Sequence, residues 1–449
     1  MHDIPFIGFL ALLFAMGLRQ PFLLVLTYVY IDVVSPQRLT YYLLNTVPIS
    51  LIAVAMAVGG WALTDDKRDS RFAPRQGLIL LLLVYCWGTL QTADFPLEAQ
   101  EKWDWVWKAL AFAAFLPLTL RTRLRIEALL LFMVLSAGSI IIVGGIKTLV
   151  SGGGYGQLNL MVDNNSGLYE SSTIATVAVA IVPLILWFTR HGTVFPPDWR
   201  VRGFGWALVF ACLLIPVGTS ARTGLLCIGL VALLALREAR RKVLYLTALG
   251  VATLVAVPLL PSAFTERMAT IQNHQADESA STRLAVWGWT LDYVRTRPFG
   301  GGFEAYRGNR IRYDLVKTTG PVAANAVTTE KARAYHSAYF EMLGEQGWPG
   351  LILWLLINGI GVIRMEVLRR RYREGEHAWA GALAGALQNG HLVYLLGAAF
   401  VGIAFQPFIY MLIGAQIGLD TYLTRKRREA AVPPRRARNE AVPRALPAG

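Results

Sequence analysis

Charge and cysteine are both scarce in this chain. Three cysteines occur in 449 residues and 16% of the side chains are charged. Cys86, Cys212 and Cys227 each fall inside an apolar stretch, without the spacing of a metal site or an evident disulfide partner, so they are read as packing residues. The sequence has no Gly-x-x-x-x-Gly-Lys-Ser/Thr phosphate loop, no Gly-x-Ser-x-Gly elbow and no nucleotide-binding pattern. Energy for any reaction therefore has to arrive with an activated substrate. The internal or inverted repeats that mark many transporters are missing as well. The N-terminus lacks a basic, apolar, small-residue cleavage pattern, so its first apolar stretch is expected to be retained.

What is abundant is apolar length. Hydrophobic residues make up 55% of the chain, and runs such as "LVFACLLIPV" and "YLTALGVATLVAVPLL" recur from end to end. This composition predicts an all-α polytopic membrane protein. Spans are expected near 5–18, 21–34, 42–63, 77–90, 109–120, 126–149, 171–188, 204–217, 225–236, 244–260, 348–363, 378–396 and 398–418. Counting the first two pieces as one helix or two gives 12 or 13 transmembrane helices. The expected organisation is an N-terminal transmembrane bundle over 1–260, one large helical loop over 261–347, C-terminal transmembrane helices over 348–424, and a disordered basic tail over 425–449.

The formal charge of +14 does not indicate nucleic acid, because most of the 43 lysines and arginines sit in short loops between apolar spans. "RTRLR", "RHGTVFPPDWRVR", "REARRK", "RMEVLRRRYRE" and the tail "RKRREAAVPPRRARNE" fall on one side. Segment 150–170 has no basic residue, and "QTADFPLEAQEKWDWVWK" is acidic with clustered tryptophans. The positive-inside rule makes the tail side cytoplasmic and turns 261–347 to the opposite face, with the side of the N-terminus left open. The tail is expected to lie near anionic lipid.

Three residues on that opposite face carry chemical interest. Arg222 lies in the tight link "GTSARTG", against the positive-inside trend; it either snorkels to headgroups or meets an anion beside backbone amides. Arg283 opens an expected amphipathic helix with Leu284, Trp287, Leu291 and Val294 on one face, just after the capping candidates Ser281 and Thr282. A guanidinium at a helix N-terminus suits an anion, and a solvated surface arginine is the alternative. Arg295 and Arg297 are read as solvated. His336, in "AYHSAYFEMLGEQGWPG", is expected to start a short helix with Phe340 and Leu343 on its face, which would favour the neutral imidazole a general base requires. A packed interfacial histidine is the alternative, and His391 in "QNGHLVYLL" is a rival. His2, His191 and His377 sit at the terminus or on the basic face.

Two arginines and a base at an outer membrane surface suit an anionic donor with a lipid tail. Guanidinium groups would stabilise the charge growing on a pyrophosphate leaving group, and the imidazole would take a proton from an acceptor hydroxyl. No Asp-x-Asp lies on this face and no metal-ligand spacing occurs, so no metal and no cofactor are expected. "HSAYFEMLGEQGWPG", with His336, Ser337, Gly347 and Gly350, resembles the signature of the bacterial O-antigen ligase superfamily, which includes polymerases and protein O-oligosaccharyltransferases. "TSARTG" and "STRLAVWGWTLDYVRTRPFGGGF" resemble its two arginine elements. "SPQRLTYYLLNTVPIS", "GIKTLVSGGGYG", "DNNSGLYESSTIATVAVAIVPLI", "RMATIQNHQADESAS" and "PFGGGFEAYRGN" resemble, in order, the exosortase A-associated O-glycosylation ligases.

The resemblance implies an inverting, metal-independent glycosyltransferase of the GT-C type in the bacterial inner membrane. It would be multi-pass, with one large periplasmic helical loop, its active site on the periplasmic side and its C-terminus cytoplasmic. His336 would activate the acceptor hydroxyl, and Arg222 and Arg283 would bind an undecaprenyl-pyrophosphate-linked glycan. The acceptor would be lipid A core or a protein; another glycan as acceptor would make it a polymerase, and a polyprenyl-glycan transporter is the remaining alternative. Two departures stand out. "DNNSGLYESS" is polar where relatives run "NNxxALAL". The stretch from Arg283 to Gly300 is one residue longer than the Arg-x15-Gly loops of polymerases, which favours a ligase.

Overall fold

The computed structural model describes residues 3–40, 44, 46–67, 72–151, 168–239, 241–256, 278–319 and 322–431. In chain order the helices are α1 (Asp3–Arg19), α2 (Phe22–Val34), α3 (Pro36–Leu39), α4 (Ile49–Thr64), α5 (Pro74–Leu90), α6 (Pro96–Thr119), α7 (Arg123–Ser151), α8 (Ser171–His191), α9 (Trp199–Gly218), α10 (Arg222–Glu238) and α11 (Lys242–Ala256). After the region outside the described residues come α12 (Glu278–Thr296), a 3-10 turn (Ala305–Gly308), strands β1 (Arg310–Thr319) and β2 (Val322–Lys331), and helices α13 (Ala338–Arg371), α14 (Ala378–Ala398) and α15 (Pro407–Ala431).

The protein is mostly helical. Among the described residues, four helices are long and apolar enough to cross a membrane by length and composition: Arg123–Val150, Ser171–His191, Trp199–Gly218 and Ala338–Arg371. α1 and α2 are two helices, not one. Gly17 lies against Leu24 and the Phe9 and Tyr30 rings meet edge-on at 4.9 Å, so the pair folds back as a hairpin. The core is centred on α8, α14 and α15. Residues 173–182 of α8 and 408–419 of α15 are buried without interruption, whereas α9 and α11 expose much of their apolar surface. All-round burial of this kind marks helices enclosed by other helices. The three cysteines are free and buried among them.

A smaller apolar cluster lies apart from this bundle, where Val286 of α12, Ile311 of β1 and Tyr335 pack with Trp289, Tyr306 and Phe340. The loop expected to be all helical thus carries an antiparallel hairpin, with Arg310 opposite Lys331 and Thr319 opposite Val322. The face of α12 also differs from expectation. Val286, Thr290 and Val294, spaced four apart, point inward, while Leu284 and Leu291 are exposed. The inward face is set by β1 and α13, neither of which is visible in the local periodicity.

Two further boundaries move. Residues 399–406, taken for the start of the last span, are an irregular segment buried over 403–406, and the helix begins at Pro407 in the N-terminal position proline favours. Tyr394 Oη donates to Ile403 O at 2.9 Å, Trp354 Nε1 and Tyr410 Oη donate to Ala404 O at 3.1 Å each, and Ala404 N donates to Glu341 Oε2 at 3.0 Å. Side chains thereby satisfy the backbone groups a helix would have paired internally. Residues 425–431 of the expected disordered tail are helical, as the end of α15; 432–449 lie outside the described residues.

Candidate active site

The signature glycines have a structural task. α13 is interrupted at Gly347, whose φ of 62° and ψ of −167° are open only to glycine. Into that kink docks the "PFGGGF" loop. Trp348 N donates to Pro298 O at 2.9 Å, Gly301 N to Gly344 O at 3.1 Å and Gly302 N to Glu345 O at 2.9 Å. A Cβ on Gly347 would sit 2.2 Å from Pro298 O, and one on Gly300 would sit 2.5 Å from Glu345 O. The backbones therefore approach as closely as glycine permits, tying the end of α12 to the start of α13. Gly350 lies one turn beyond the kink and packs toward the Tyr85 ring.

His336 immediately precedes α13 and is not part of it. Ser337 is the N-cap residue, and His336 holds a left-handed φ of 49° that turns its side chain off the helix face occupied by Phe340 and Leu343. The strained residue is clamped from both sides. Trp287 Nε1 donates to Tyr335 O at 2.9 Å and its ring stacks on Phe340 with centroids 4.8 Å apart. Asn309 Nδ2 donates to Arg333 O at 2.6 Å while accepting from Arg333 N at 3.0 Å. A left-handed non-glycine residue held this firmly is a feature to expect at a functional site.

Arg222 is the first residue of α10, directly after the Gly218–Ala221 turn. Arg283 lies in the second turn of α12, because the helix starts at Glu278. Ser281 and Thr282 are then helical residues and not caps. Arg222, Arg283 and His336 nevertheless line the same cavity, whose volume is about 560 Å³. Residues 171–173 at the start of α8 and 219–223 at the start of α10 also line it. Two helix N-termini are thus directed at the space the arginines border, adding partial positive charge to it. Glu170 caps α8 by accepting from Thr173 N at 2.6 Å, and lines the cavity beside them.

The pKa of His336 is lowered from the usual imidazole range. Burial by the surrounding walls is the main cause, Arg283 and Arg333 act in the same direction, and Glu170 opposes them. The imidazole side chain is exposed to the cavity, and the lowered pKa favours its neutral form, with a lone pair available to accept a proton.

The charged lining includes Arg38, Glu170, Arg222, Arg283 and His336 as one group. The second group centres on Lys102, whose Nζ is 2.7 Å from Glu341 Oε1, 2.8 Å from Glu345 Oε1 and 3.9 Å from Glu304 Oε1. Arg307 adds contacts to Glu98 and Glu304 at 3.7 and 3.2 Å. The ammonium stands where those carboxylates converge, and among the described residues no group of His, Cys, Asp and Glu is arranged to hold a metal ion. Arg38, Lys102 and Glu170 were not singled out from the sequence. Each is one charge in a separate segment, brought to the site by helix packing. Arg295 and Arg297 pair with Asp292 and Asp94 at 3.0 and 3.4 Å.

His391 has a structural role. Arg75 Nη2 donates to Gln416 Oε1 at 3.0 Å, which turns the Gln416 amide nitrogen toward His391 Nδ1 at 3.0 Å. Nδ1 must then accept, leaving the proton on Nε2 to be donated to Asn358 Oδ1 at 2.9 Å, and Asn358 Nδ2 donates onward to Trp354 O. Both ring nitrogens are committed within the buried core.

Comparison with known families now bears on this geometry. Residues 206–355 match the O-antigen ligase family. Residues 1–193 match a family of unknown function (DUF5935), and no curated protein matches the chain. The O-antigen ligase segment contains Arg222, Arg283, His336, Ser337, Gly347 and Gly350, and the match supports the O-antigen ligase superfamily. That family covers ligases and related polymerases and consists of glycosyltransferase-like enzymes that take lipid-linked glycans and acceptors in general. Together with the apolar helices, it indicates a membrane-embedded protein. Arg38, Lys102 and Glu170 lie outside the O-antigen ligase segment, so the cavity is completed by the part of the chain that matches the family of unknown function.

Proposed function

We propose that this protein transfers a preassembled glycan from undecaprenyl pyrophosphate to an acceptor hydroxyl, on lipid A core or on a protein, at the periplasmic face of the bacterial inner membrane. It would do so with inversion and without a metal, on a GT-C-type scaffold of 12 or 13 transmembrane helices whose basic C-terminus is cytoplasmic. The observation that carries this reading is the convergence of Arg222, Arg283 and His336 on one cavity that also receives two helix N-termini. His336 accepts the proton of the acceptor hydroxyl, and the resulting oxygen nucleophile attacks the anomeric carbon opposite the leaving group. The bond from that carbon to the pyrophosphate oxygen breaks with its electron pair on oxygen. Charge grows on the diphosphate, where Arg222, Arg283 and the ends of α8 and α10 are positioned to stabilise it. The depressed pKa of His336 supports its role as base, since the neutral form is already present at neutral pH.

The test is mass spectrometry of products formed by the purified, reconstituted protein from a defined undecaprenyl-pyrophosphate-linked donor and candidate acceptors. Wild type should yield glycosylated lipid or protein acceptor. His336→Ala, Arg222→Ala and Arg283→Ala should each lower the rate by about 10²-fold or more at unchanged membrane abundance. Wild-type rates in His336→Ala would refute the assignment of the base, and elongated donor as sole product would identify a polymerase.

A further inference from the structure

A second cavity, of about 440 Å³, lies at the opposite end of helices that reach the first. It is bordered by the start of α5, the end of α6, the middle of α13 and the last turns of α15. Along α6, Lys102 at the first cavity and Leu120 at the second are separated by about 27 Å of helical rise, close to the thickness of a bilayer's hydrocarbon core.

Among the described residues, four guanidinium groups line this cavity, from Arg121, Arg364, Arg425 and Arg428, against two carboxylates, Asp420 and Glu429. The carboxylates are engaged in pairs. Asp420 accepts from Arg364 through both oxygens, at 2.7 and 3.0 Å, and Glu429 is 2.7 Å from Lys426 and 3.8 Å from Arg425. Arg121 also lies 3.7 Å from Asp66, an exposed carboxylate outside the lining, and Lys426 adds a further cation beside Glu429, so the described residues keep a net excess of two positive charges. Arg75 adds to it from behind the wall. It is 6% exposed, and its Nε and Nη1 have no hydrogen-bond partner among the described residues. The same cavity has an apolar margin in Phe72, which is 52% exposed, and Leu118.

We propose that this cavity binds a phosphate group, with an anionic phospholipid headgroup as its source. Guanidinium groups match phosphate oxygens bidentately, and the excess charge is what a phosphodiester would neutralise. An exposed aromatic ring beside the cations suits a ligand whose glycerol and acyl portions continue into the bilayer. A position one bilayer thickness from the candidate active site places it at a membrane surface, where such headgroups are found. This assignment stands apart from the transferase reading, since no residue of the first cavity takes part.

The experiment is native mass spectrometry of the full chain in detergent, titrated with phosphatidylglycerol, phosphatidylcholine of the same acyl chains, and glycerol phosphate. Phosphatidylglycerol should be retained about tenfold more than phosphatidylcholine, and Arg121→Ala/Arg425→Ala/Arg428→Ala should remove that preference. Glycerol phosphate binding to wild type and not to the triple variant, without any lipid preference, would keep the phosphate chemistry and overturn the lipid source. Equal retention of every ligand by wild type and variant would overturn the site. If the triple variant loses its thermal transition, Arg428→Glu at the exposed last turns of α15 replaces it, with loss of the preference expected and its persistence contradicting the site.

Discussion

At the scale of single residues, the site depends on charges whose influence is set by distance and burial. Glu170 is the acidic neighbour that raises the His336 pKa against burial and Arg283. Glu170→Gln removes that charge while leaving an oxygen to cap α8, so the pKa falls further. The neutral form proposed to act as base exists above the pKa. The acid limb of kcat/KM against pH should therefore move to lower pH, and an unchanged or raised limb would contradict the role given to His336. Lys102 is the second test at this scale. Lys102→Met would leave Glu304, Glu341 and Glu345 crowded together with Glu345 fully buried. An uncompensated buried charge of this kind costs about 3–5 kcal/mol, so the thermal midpoint should fall markedly and Glu345→Gln should recover part of the loss. A variant as stable as wild type would show that the ammonium does not hold the cluster.

Among elements, the contact between the "PFGGGF" loop and the kinked start of α13 decides whether the arginine of α12 and the histidine before α13 face one space. Gly347→Ala would place a methyl 2.2 Å from Pro298 O and force a backbone region reserved for glycine. Destabilisation of about 3 kcal/mol or more is expected, read as a lower midpoint in thermal unfolding. A neutral result would mean that the loop does not dock as described. This scale is also where the sequence is least informative. The signature glycines and His336 were legible because their spacing is local. The inward face of α12, the hairpin and the irregular segment 399–406 were not, because β1, α13 and the side chains of Glu341, Trp354, Tyr394 and Tyr410 decide them from far along the chain. His336 was singled out in the sequence, but its left-handed backbone was hidden, since a residue just before a helix looks the same in sequence as one inside it.

For the whole molecule, two charged cavities stand at opposite ends of one helical bundle. The apolar composition made a membrane-embedded protein legible from sequence alone. The partners that complete the first cavity, Arg38, Lys102 and Glu170, were illegible because they lie on α3, α6 and at the edge of α8, and only the packing of the bundle brings them together. The central claim is that a diphosphate is held by Arg222 and Arg283 within reach of His336. A cryo-EM structure of the protein in nanodiscs with bound undecaprenyl pyrophosphate tests it most directly. Phosphate oxygens should lie within hydrogen-bonding distance of both guanidinium groups, with His336 facing the adjoining space. A diphosphate bound away from those arginines, or contacting only one of them with His336 turned outward, would contradict the account.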